Sequence, residues 1–189
     1  MLKLVHALDM DIVCVKDYYD SFEDKWKDLN CFAISLLGKS AENYINWVNE
    51  YEKNLYYLVD DKNPKYIIGY GSFKDSDILD YHKYYLNTGA IGYGIRPSER
   101  NKGYGNLLFK LLLEKCEELG MTEVCVSCLE ENIVSKSIIE NNNGILEKRF
   151  YYDEGDKYAL KYWIKLHPKI KNRVRRKINN YKSDMMKMF

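Results

Sequence analysis

A short segment rich in glycine and basic residues, residues 100–105 (RNKGYG), carries the residue types that bind phosphate. It follows an apolar run at 90–95 and precedes an apolar helix pattern at 107–113. The first amides of a helix have no partner inside the helix, and they lie at the positive end of its dipole. Glycine lets the backbone approach a ligand closely, and Arg100 and Lys102 add positive charge. The segment therefore predicts a phosphate or pyrophosphate site.

Three phosphate-binding motifs were compared with this segment, and one fits. A P-loop needs Lys and Ser or Thr directly after its second glycine, whereas Gly105 is followed by Asn106 and Leu107. A dinucleotide fingerprint begins at Gly92 but has Pro97 where its third glycine belongs. The remaining pattern, R-x-x-G-x-G after a strand, resembles a known type of pyrophosphate-binding loop.

Three further stretches extend the pattern into a family resemblance. Residues 91–105 have the sequence IGYGIRPSERNKGYG, residues 132–144 NIVSKSIIENNNG and residues 157–164 KYALKYWI. Together they resemble the GNAT acetyltransferase superfamily, and within it a bacterial branch whose members are classed as predicted acetyltransferases. The resemblance covers about residues 84–164 closely and residues 1–83 only loosely. It implies an enzyme that transfers acetyl from acetyl-coenzyme A to a primary amine of a small molecule or peptide by direct attack in a ternary complex.

The resemblance also implies which residues hold acetyl-coenzyme A. The backbone amides of the loop and helix start would bind its pyrophosphate, and the backbone of the strand end would pair with its pantetheine arm. Asn132 would either hydrogen-bond pantetheine or cap its own helix. The implied cofactor-binding residues are Ile95, Pro97, Arg100, Asn101, Lys102, Gly103, Tyr104, Gly105, Asn106, Asn132, Ser135 and Lys136.

The catalytic acid and base depart from the family pattern. Many members place a tyrosine acid seven residues after the helix-start asparagine, and Ile139 stands there in this chain. The start of the central strand, residues 88–90, has no ionisable side chain for a base. A base acting through ordered water is one alternative, and a coenzyme A-binding module without activity is a second hypothesis for the whole chain. The candidates that remain are Glu130 or Glu131 as base and Tyr93, Tyr152 or Tyr158 as acid.

Composition limits the remaining function classes. The chain has 189 residues, 46% of them apolar, which suits one ordinary domain. No run approaches the ~18 apolar residues of a membrane span, and the first residues do not form a secretory signal, so we expect a cytoplasmic protein. The five cysteines are an odd count. Cys125 and Cys128 would point to opposite faces of a strand, so we expect reduced thiols and no metal site.

Charge is distributed unevenly along the chain. The net charge is +1, yet residues 165–189 carry nine Lys or Arg and one Asp, or +8, which leaves −7 on the other residues. Apolar residues at helical spacing within 167–189 predict a basic amphipathic helix after a GNAT domain at 1–166. Three roles fit this helix: packing on its own domain, forming a homodimer, or binding a polyanion such as RNA or anionic lipid.

The elements that must position these residues alternate between strands and helices, which predicts a mixed α/β fold. We expect a GNAT-type twisted mixed sheet of about seven strands with flanking helices and the C-terminal basic helix. The strands 88–95 and 122–128 should separate at one end to admit the acetyl group. The predicted strands are 2–7, 55–60, 66–74, 88–95, 122–128, 145–152 and 157–164, and the predicted helices are 10–28, 40–53, 103–119 and 132–142.

Overall fold

The computed structural model describes residues 1–22, 40–74, 89–152 and 156–167. The predicted α/β class is confirmed, with seven strands and four α-helices among these residues. Two 3-10 turns, Ala7–Asp9 and Pro97–Glu99, complete the regular structure there. In chain order the elements are β1 (Leu2–His6), α1 (Ile12–Asp20), α2 (Ala41–Tyr51), β2 (Leu55–Asp60), β3 (Asn63–Phe73), β4 (Ile91–Ile95), α3 (Tyr104–Glu118), β5 (Glu123–Leu129), α4 (Ile133–Asn141), β6 (Ile145–Tyr152) and β7 (Lys157–Lys165).

The seven strands form two antiparallel sheets, where the sequence predicted one mixed sheet. The first sheet has the order β1-β2-β3-β4, and the second has the order β5-β7-β6. Between the two sheets, the described residues pair at a single bridge from Gly89 to Val126, next to a 2.7 Å bond from the Ala90 amide to the Cys125 carbonyl. Beyond this bridge β4 and β5 separate, so their ladder does not continue. The predicted separation is therefore confirmed, and it opens what we call the β4–β5 gap.

Helix α3 packs on one face of the first sheet. Leu108, Phe109 and Leu112 on this helix are fully buried. A Cβ at Gly71 of β3 would lie 2.4 Å from a methyl carbon of Leu112, so the glycine lets the helix lie close to the strand. Burial of these side chains fixes the start of α3 beside the end of β4, because both elements share this core.

Helices α1 and α2 cover the other face with a second core rich in tyrosine. Tyr18, Tyr44 and Tyr57 are fully buried there, and the hydroxyls of Tyr44 and Tyr57 lie 2.6 Å apart. The sequence also predicts burial of Tyr51, but its side chain is 56% exposed. Tyr51 is the last residue of α2, one turn beyond the buried Val48.

Three helix ends confirm what the sequence predicts for them: a cap at Ser40, a stop at Gly120 and a left-handed residue at Asn143. Ser40 caps α2 by accepting the Asn43 amide at 3.1 Å. Gly120 follows α3 with φ of +87°, and Asn143 follows α4 with φ of +64°, the left-handed conformation expected of each. The predictions for 23–39, for 75–88 and for the C-terminal helix lie outside the described residues. Among the described helices, none is long and apolar enough to cross a membrane.

Candidate functional site

The start of α3 offers unpaired backbone amides. Its N-cap residue is Gly103, which has φ of +81° and no side chain to cap the helix. Within the described part of the chain, no backbone oxygen accepts a hydrogen bond from the amides of residues 101–106. A Cβ built on Gly103 would meet nothing within 4 Å, so the space above these amides is open. This arrangement suits an anion, because the helix dipole adds partial positive charge at the same place.

The second glycine of the loop has a different role from the first. A Cβ at Gly105 would lie 3.0 Å from the Cδ1 atom of Ile138, so this glycine allows α3 and α4 to approach closely. The next residue strengthens the same contact, because the Asn106 side-chain oxygen accepts a hydrogen bond from Asn142 at 2.9 Å. Gly105, which has no side chain, and Asn106, through its hydrogen bond, therefore keep α3 and α4 in contact. What these two residues offer to a ligand is their backbone amides.

Two basic side chains, those of Arg100 and Lys102, belong to the loop before α3. The Nε atom of Arg100 donates to the Ile95 carbonyl at 3.3 Å, and its guanidinium lies 5.8 Å from the centre of the Phe22 ring. Lys102 forms an ion pair with Glu99 at 2.9 Å and is half exposed. This ion pair lowers the pKa of Glu99 from its ordinary value. Both cations are thus held near the loop, with Lys102 already paired with a carboxylate.

The edge of β4 presents its backbone to the β4–β5 gap. The Arg96 amide donates to β3 at 2.8 Å, and the Ala90 carbonyl accepts from the residue after β3 at 2.9 Å. In an antiparallel ladder the bonding direction alternates along the strand, so Tyr93 and Ile95 direct their amides and carbonyls away from β3. The Ile95 amide is therefore placed to pair with an extended ligand, whereas the Ile95 carbonyl already accepts from Arg100. Pro97 has no amide, and its carbonyl accepts from Arg100 at 3.3 Å, so a ligand there would compete with the 3-10 turn.

Tyr93 and Ser135 meet across the β4–β5 gap. The hydroxyl of Tyr93 lies 2.9 Å from the Oγ atom of Ser135 on α4, and the Tyr93 ring packs edge-on against Phe109. Burial raises the pKa of Tyr93, and the hydrogen bond with Ser135 offsets part of this rise. The phenol is therefore protonated at neutral pH and able to donate a proton.

The start of α4 is capped, in contrast to the start of α3. The Asn132 side-chain oxygen accepts from the Ser135 amide at 3.0 Å, and its carbonyl accepts from the Lys136 amide at 3.0 Å. Of the two roles considered for Asn132, the structure shows the cap. Lys136 is half-buried along this helix, and Tyr104 packs its ring against the core at the start of α3.

The two candidate bases are held in ion pairs at the end of β5. Both carboxylate oxygens of Glu130 accept from Arg149 at 2.8 Å, which lowers the pKa of Glu130. Glu131 pairs with Lys157. The Arg149 guanidinium also lies 3.3 Å from the Tyr158 ring centre. The ion pairs disfavour Glu130 and Glu131 as bases, because each carboxylate is already paired with a cation on the β6–β7 hairpin.

Sequence reasoning missed Arg96, the buried residue between β4 and the turn. Its Nε atom donates to the Ile67 carbonyl at 2.7 Å, and its Nη2 atom donates to Asp17 at 2.8 Å. The guanidinium lies 4.4 Å from the ring centre of Tyr66 and 5.4 Å from that of Tyr18. The signal available in the sequence was an arginine directly after the strand β4, at the end of an apolar segment.

The cysteines provide no thiolate ligand in the described part of the chain. Cys14, Cys116, Cys125 and Cys128 are buried and free of disulfides. Burial raises the pKa of Cys125 to about 11 and also raises that of Cys128, so both thiols stay protonated. No group of three or more His, Cys, Asp or Glu side chains in the described ranges is arranged to hold a metal ion.

Comparison with known proteins places this site in a family. The family model for the acetyltransferase (GNAT) domain matches residues 30–144, more than half of the chain, and the chain therefore belongs to the GNAT family. No curated protein matches the chain.

Three solved structures show that the fold is shared. A spermidine N-acetyltransferase chimera that includes the Vibrio cholerae enzyme is 14% identical, with a TM-score of 0.63, and the match covers 87% of this chain and 95% of that one. A ribosomal-protein alpha-N-acetyltransferase in complex with coenzyme A is 15% identical, with a TM-score of 0.62 and coverage of 87% and 94%. A ribosomal-protein alanine acetyltransferase from Vibrio fischeri is 14% identical, with a TM-score of 0.64 and coverage of 87% and 91%.

Proposed function

We propose that this GNAT protein is an N-acetyltransferase that transfers the acetyl group of acetyl-coenzyme A to a primary amine. The observation that carries the proposal is the uncapped start of α3 beside the open edge of β4. Free amides at Gly103 and the following residues suit a pyrophosphate, and the Ile95 backbone suits an amide-bearing arm that runs along the strand. The start of α4 lacks this combination, since Asn132 caps that helix.

The residues present fit coenzyme A. Open space above Gly103 admits a phosphate oxygen close to the backbone. Arg100 and Lys102 supply two positive charges next to the amides, where charge-assisted hydrogen bonds are strongest. Acetyl-coenzyme A supplies the activated acetyl group, and the protein supplies binding, orientation and proton transfer. Proximity alone accounts for a large part of such a rate enhancement.

Tyr93 is our candidate for the catalytic acid. Its phenol lies in the β4–β5 gap and stays protonated, because burial raises its pKa. It would donate its proton to the departing sulfur and hold the hydrogen bond with Ser135 meanwhile. One backbone amide of the strand end, that of Tyr93 or that of Ile95, would donate to the carbonyl oxygen as negative charge develops on it. In our account an ordered water, in place of Glu130 or Glu131, would take the proton of the attacking amine and pass it to the solvent.

We propose a small molecule or peptide as the acceptor. Support comes from the relatives of similar fold, which are named for action on spermidine and on ribosomal proteins. The buried, protonated thiols also support a reducing compartment, and we propose that the protein acts in the cytoplasm.

A module that binds coenzyme A without transferring acetyl is the second candidate. The observation in its favour is Ile139, which stands at the position of the family tyrosine and is fully buried in the core. Neither candidate base is free of an ion pair. Thiol release separates the two candidates: turnover with any amine well above the hydrolysis rate excludes the pure binder.

Thermal unfolding with saturating acetyl-coenzyme A tests the binding step that both candidates share. A ligand at 100 times its dissociation constant should stabilise the protein by about 2.7 kcal/mol. A screen of primary amines, from polyamines to peptide N-termini, then tests transfer. Absence of any thermal shift with acetyl-coenzyme A would contradict the proposal at its first step.

We propose that the chain consists of a GNAT domain at 1–166 and a basic C-terminal helix at 167–189. Its +8 charge and apolar spacing motivate three roles: packing on the domain, homodimer formation and polyanion binding. Deletion of residues 168–189 discriminates among them. Loss of polyanion affinity at low salt supports the electrostatic role, and a change from dimer to monomer in light scattering supports the dimer.

A further inference from the structure

Arg96 is a charged side chain in a buried position, and its contacts fix it completely. Only 7% of its side chain is exposed, and it bonds to the Ile67 carbonyl and to Asp17 of α1. Burial of a charge is costly unless it is paired and hydrogen-bonded, so these contacts explain how the arginine is tolerated. They do not explain why it lies against the face of the Tyr66 ring, at 4.4 Å from the ring centre.

The Tyr66 hydroxyl reaches the turn before the phosphate loop. It donates to the Oε1 atom of Glu99 at 3.1 Å and lies 3.2 Å from the hydroxyl of Ser98. The other carboxylate oxygen, Oε2 of Glu99, accepts from Lys102 at 2.9 Å. Only 15% of the Glu99 side chain is exposed, whereas half of Lys102 is. Tyr66 thus holds the carboxylate that in turn holds the lysine.

These contacts form one continuous chain from α1 to the loop. Arg96 orients the Tyr66 ring, Tyr66 orients Glu99, and Glu99 orients Lys102. A free lysine side chain loses up to about 2 kcal/mol of rotamer freedom when it is ordered. A lysine that is already ordered at the loop loses less of this freedom on meeting a phosphate, which is the advantage of preorganisation.

We propose that Tyr66 is a positioning residue for the pyrophosphate of coenzyme A, acting through Glu99 on Lys102, with Arg96 fixing the orientation of its ring. The proposal rests on the proposed function, because it assumes that the loop binds coenzyme A. Tyr66 itself need not touch the ligand. Its effect should be confined to ligands that carry the pyrophosphate.

Tyr66→Phe tests this proposal, since it removes the hydroxyl and keeps the ring against Arg96. By calorimetry we expect the dissociation constant of coenzyme A to be about three- to tenfold larger for this variant than for the wild type. The melting temperatures of the two proteins should be the same. In turnover assays kcat/KM should fall similarly with acetyl-coenzyme A and stay unchanged with S-acetyl-pantetheine, which lacks the pyrophosphate. Tyr56→Phe is the matched control, because Tyr56 is also a half-buried strand tyrosine but stacks on Phe73, away from the loop.

A double-mutant cycle with Lys102→Met tests whether Tyr66 acts through the lysine. In that background Tyr66→Phe should have no further effect on coenzyme A affinity. Equal losses with and without Lys102, or equal losses for acetyl-coenzyme A and S-acetyl-pantetheine, would overturn the positioning role. If the wild type itself fails to bind coenzyme A, the proposed function fails. If it binds and Tyr66→Phe binds equally well, only the positioning proposal fails.

Discussion

The ends of β4 and β5 have the same sequence of elements, but the helix that follows each strand begins in a different way. Each strand runs out of a sheet, passes through a short loop and leads into a helix, α3 or α4. The loop after β4 ends in Gly103, which leaves the first amides of α3 without a side-chain cap. The loop after β5 ends in Asn132, whose side chain caps α4, and its two glutamates are held by Arg149 and Lys157.

The difference shows that a helix start by itself does not make an anion site. Both helices have a dipole with its positive end at the loop. Only α3 combines free amides, an open approach at Gly103 and two adjacent cations. At α4 the amides of Ile133 and Ser135 already donate to Glu131 and Asn132, and the Ser135 side chain is a neighbour of Tyr93. We therefore propose phosphate binding at α3 and structural support at α4.

The largest expected effect concerns Tyr93, which lies in the gap between the two strand ends. Tyr93→Phe removes the proposed acid and should lower kcat by about 10²- to 10⁴-fold. Coenzyme A affinity should change little, since the ring and its contact with Phe109 remain. Because only the protonated phenol donates and its pKa is raised, wild-type kcat should persist above pH 10 before it declines. Steady-state kinetics across pH with a reactive amine checks this, and an undiminished kcat would exclude Tyr93 as the acid.

Gly103→Val should weaken coenzyme A binding, because the added side chain blocks the approach of a phosphate to the first amides of α3. Loss of one charge-assisted hydrogen bond costs about 1.5–3 kcal/mol, so coenzyme A affinity should fall roughly 10- to 100-fold. The positive φ adds a strain of about 1–2 kcal/mol to the fold, which must be separated from binding.

Gly120→Val is a matched control for Gly103→Val. Gly120 follows the same helix, has φ of +87° and likewise has nothing within 4 Å of its Cβ position. Both variants should lose similar stability in urea unfolding, but only Gly103→Val should lose coenzyme A affinity. Equal affinities for the two variants would mean that the loop backbone does not bind the ligand.

Asn132 distinguishes capping from ligand binding at α4. Asn132→Ala should destabilise the protein by about 1 kcal/mol, as expected for a lost N-cap, with little change in coenzyme A affinity. Asn132→Asp should restore stability, because aspartate caps helices equally well. Urea unfolding and calorimetry check both variants. A tenfold loss of affinity in Asn132→Asp at full stability would return the asparagine to the pantetheine site.

The smallest effect is expected for Glu130. Arg149 lowers the pKa of Glu130, so this carboxylate stays ionised as pH falls to below its ordinary value near 4.5. The stabilising pair is present above that range and is lost only as pH drops through the lowered pKa. Glu130→Gln should therefore change kcat by less than about twofold between pH 6 and 9. A kcat loss of two orders of magnitude would make Glu130 the base after all.

The sequence allowed prediction of the elements and of the loop because their signals are local. A capping serine, alternating strands and the R-x-x-G-x-G spacing each depend on neighbours along the chain, and Ser40 caps α2 as its position predicts. The pairing of Glu130 with Arg149 and the burial of Arg96 depend on contacts between distant segments. Such contacts carry no short-range pattern, which is why the sequence suggests Glu130 as a base without revealing its ion pair with Arg149.

Amide NMR spectra with coenzyme A and with pantetheine test the central claim most directly. We expect the amide protons of residues 103–106 to shift downfield when coenzyme A binds and to stay in place with pantetheine, which has no pyrophosphate. The amides of residues 133–135, which start the capped helix α4, should show much smaller changes. Large coenzyme A-specific shifts at 133–135 with none at 103–106 would contradict the assignment of the phosphate site to α3.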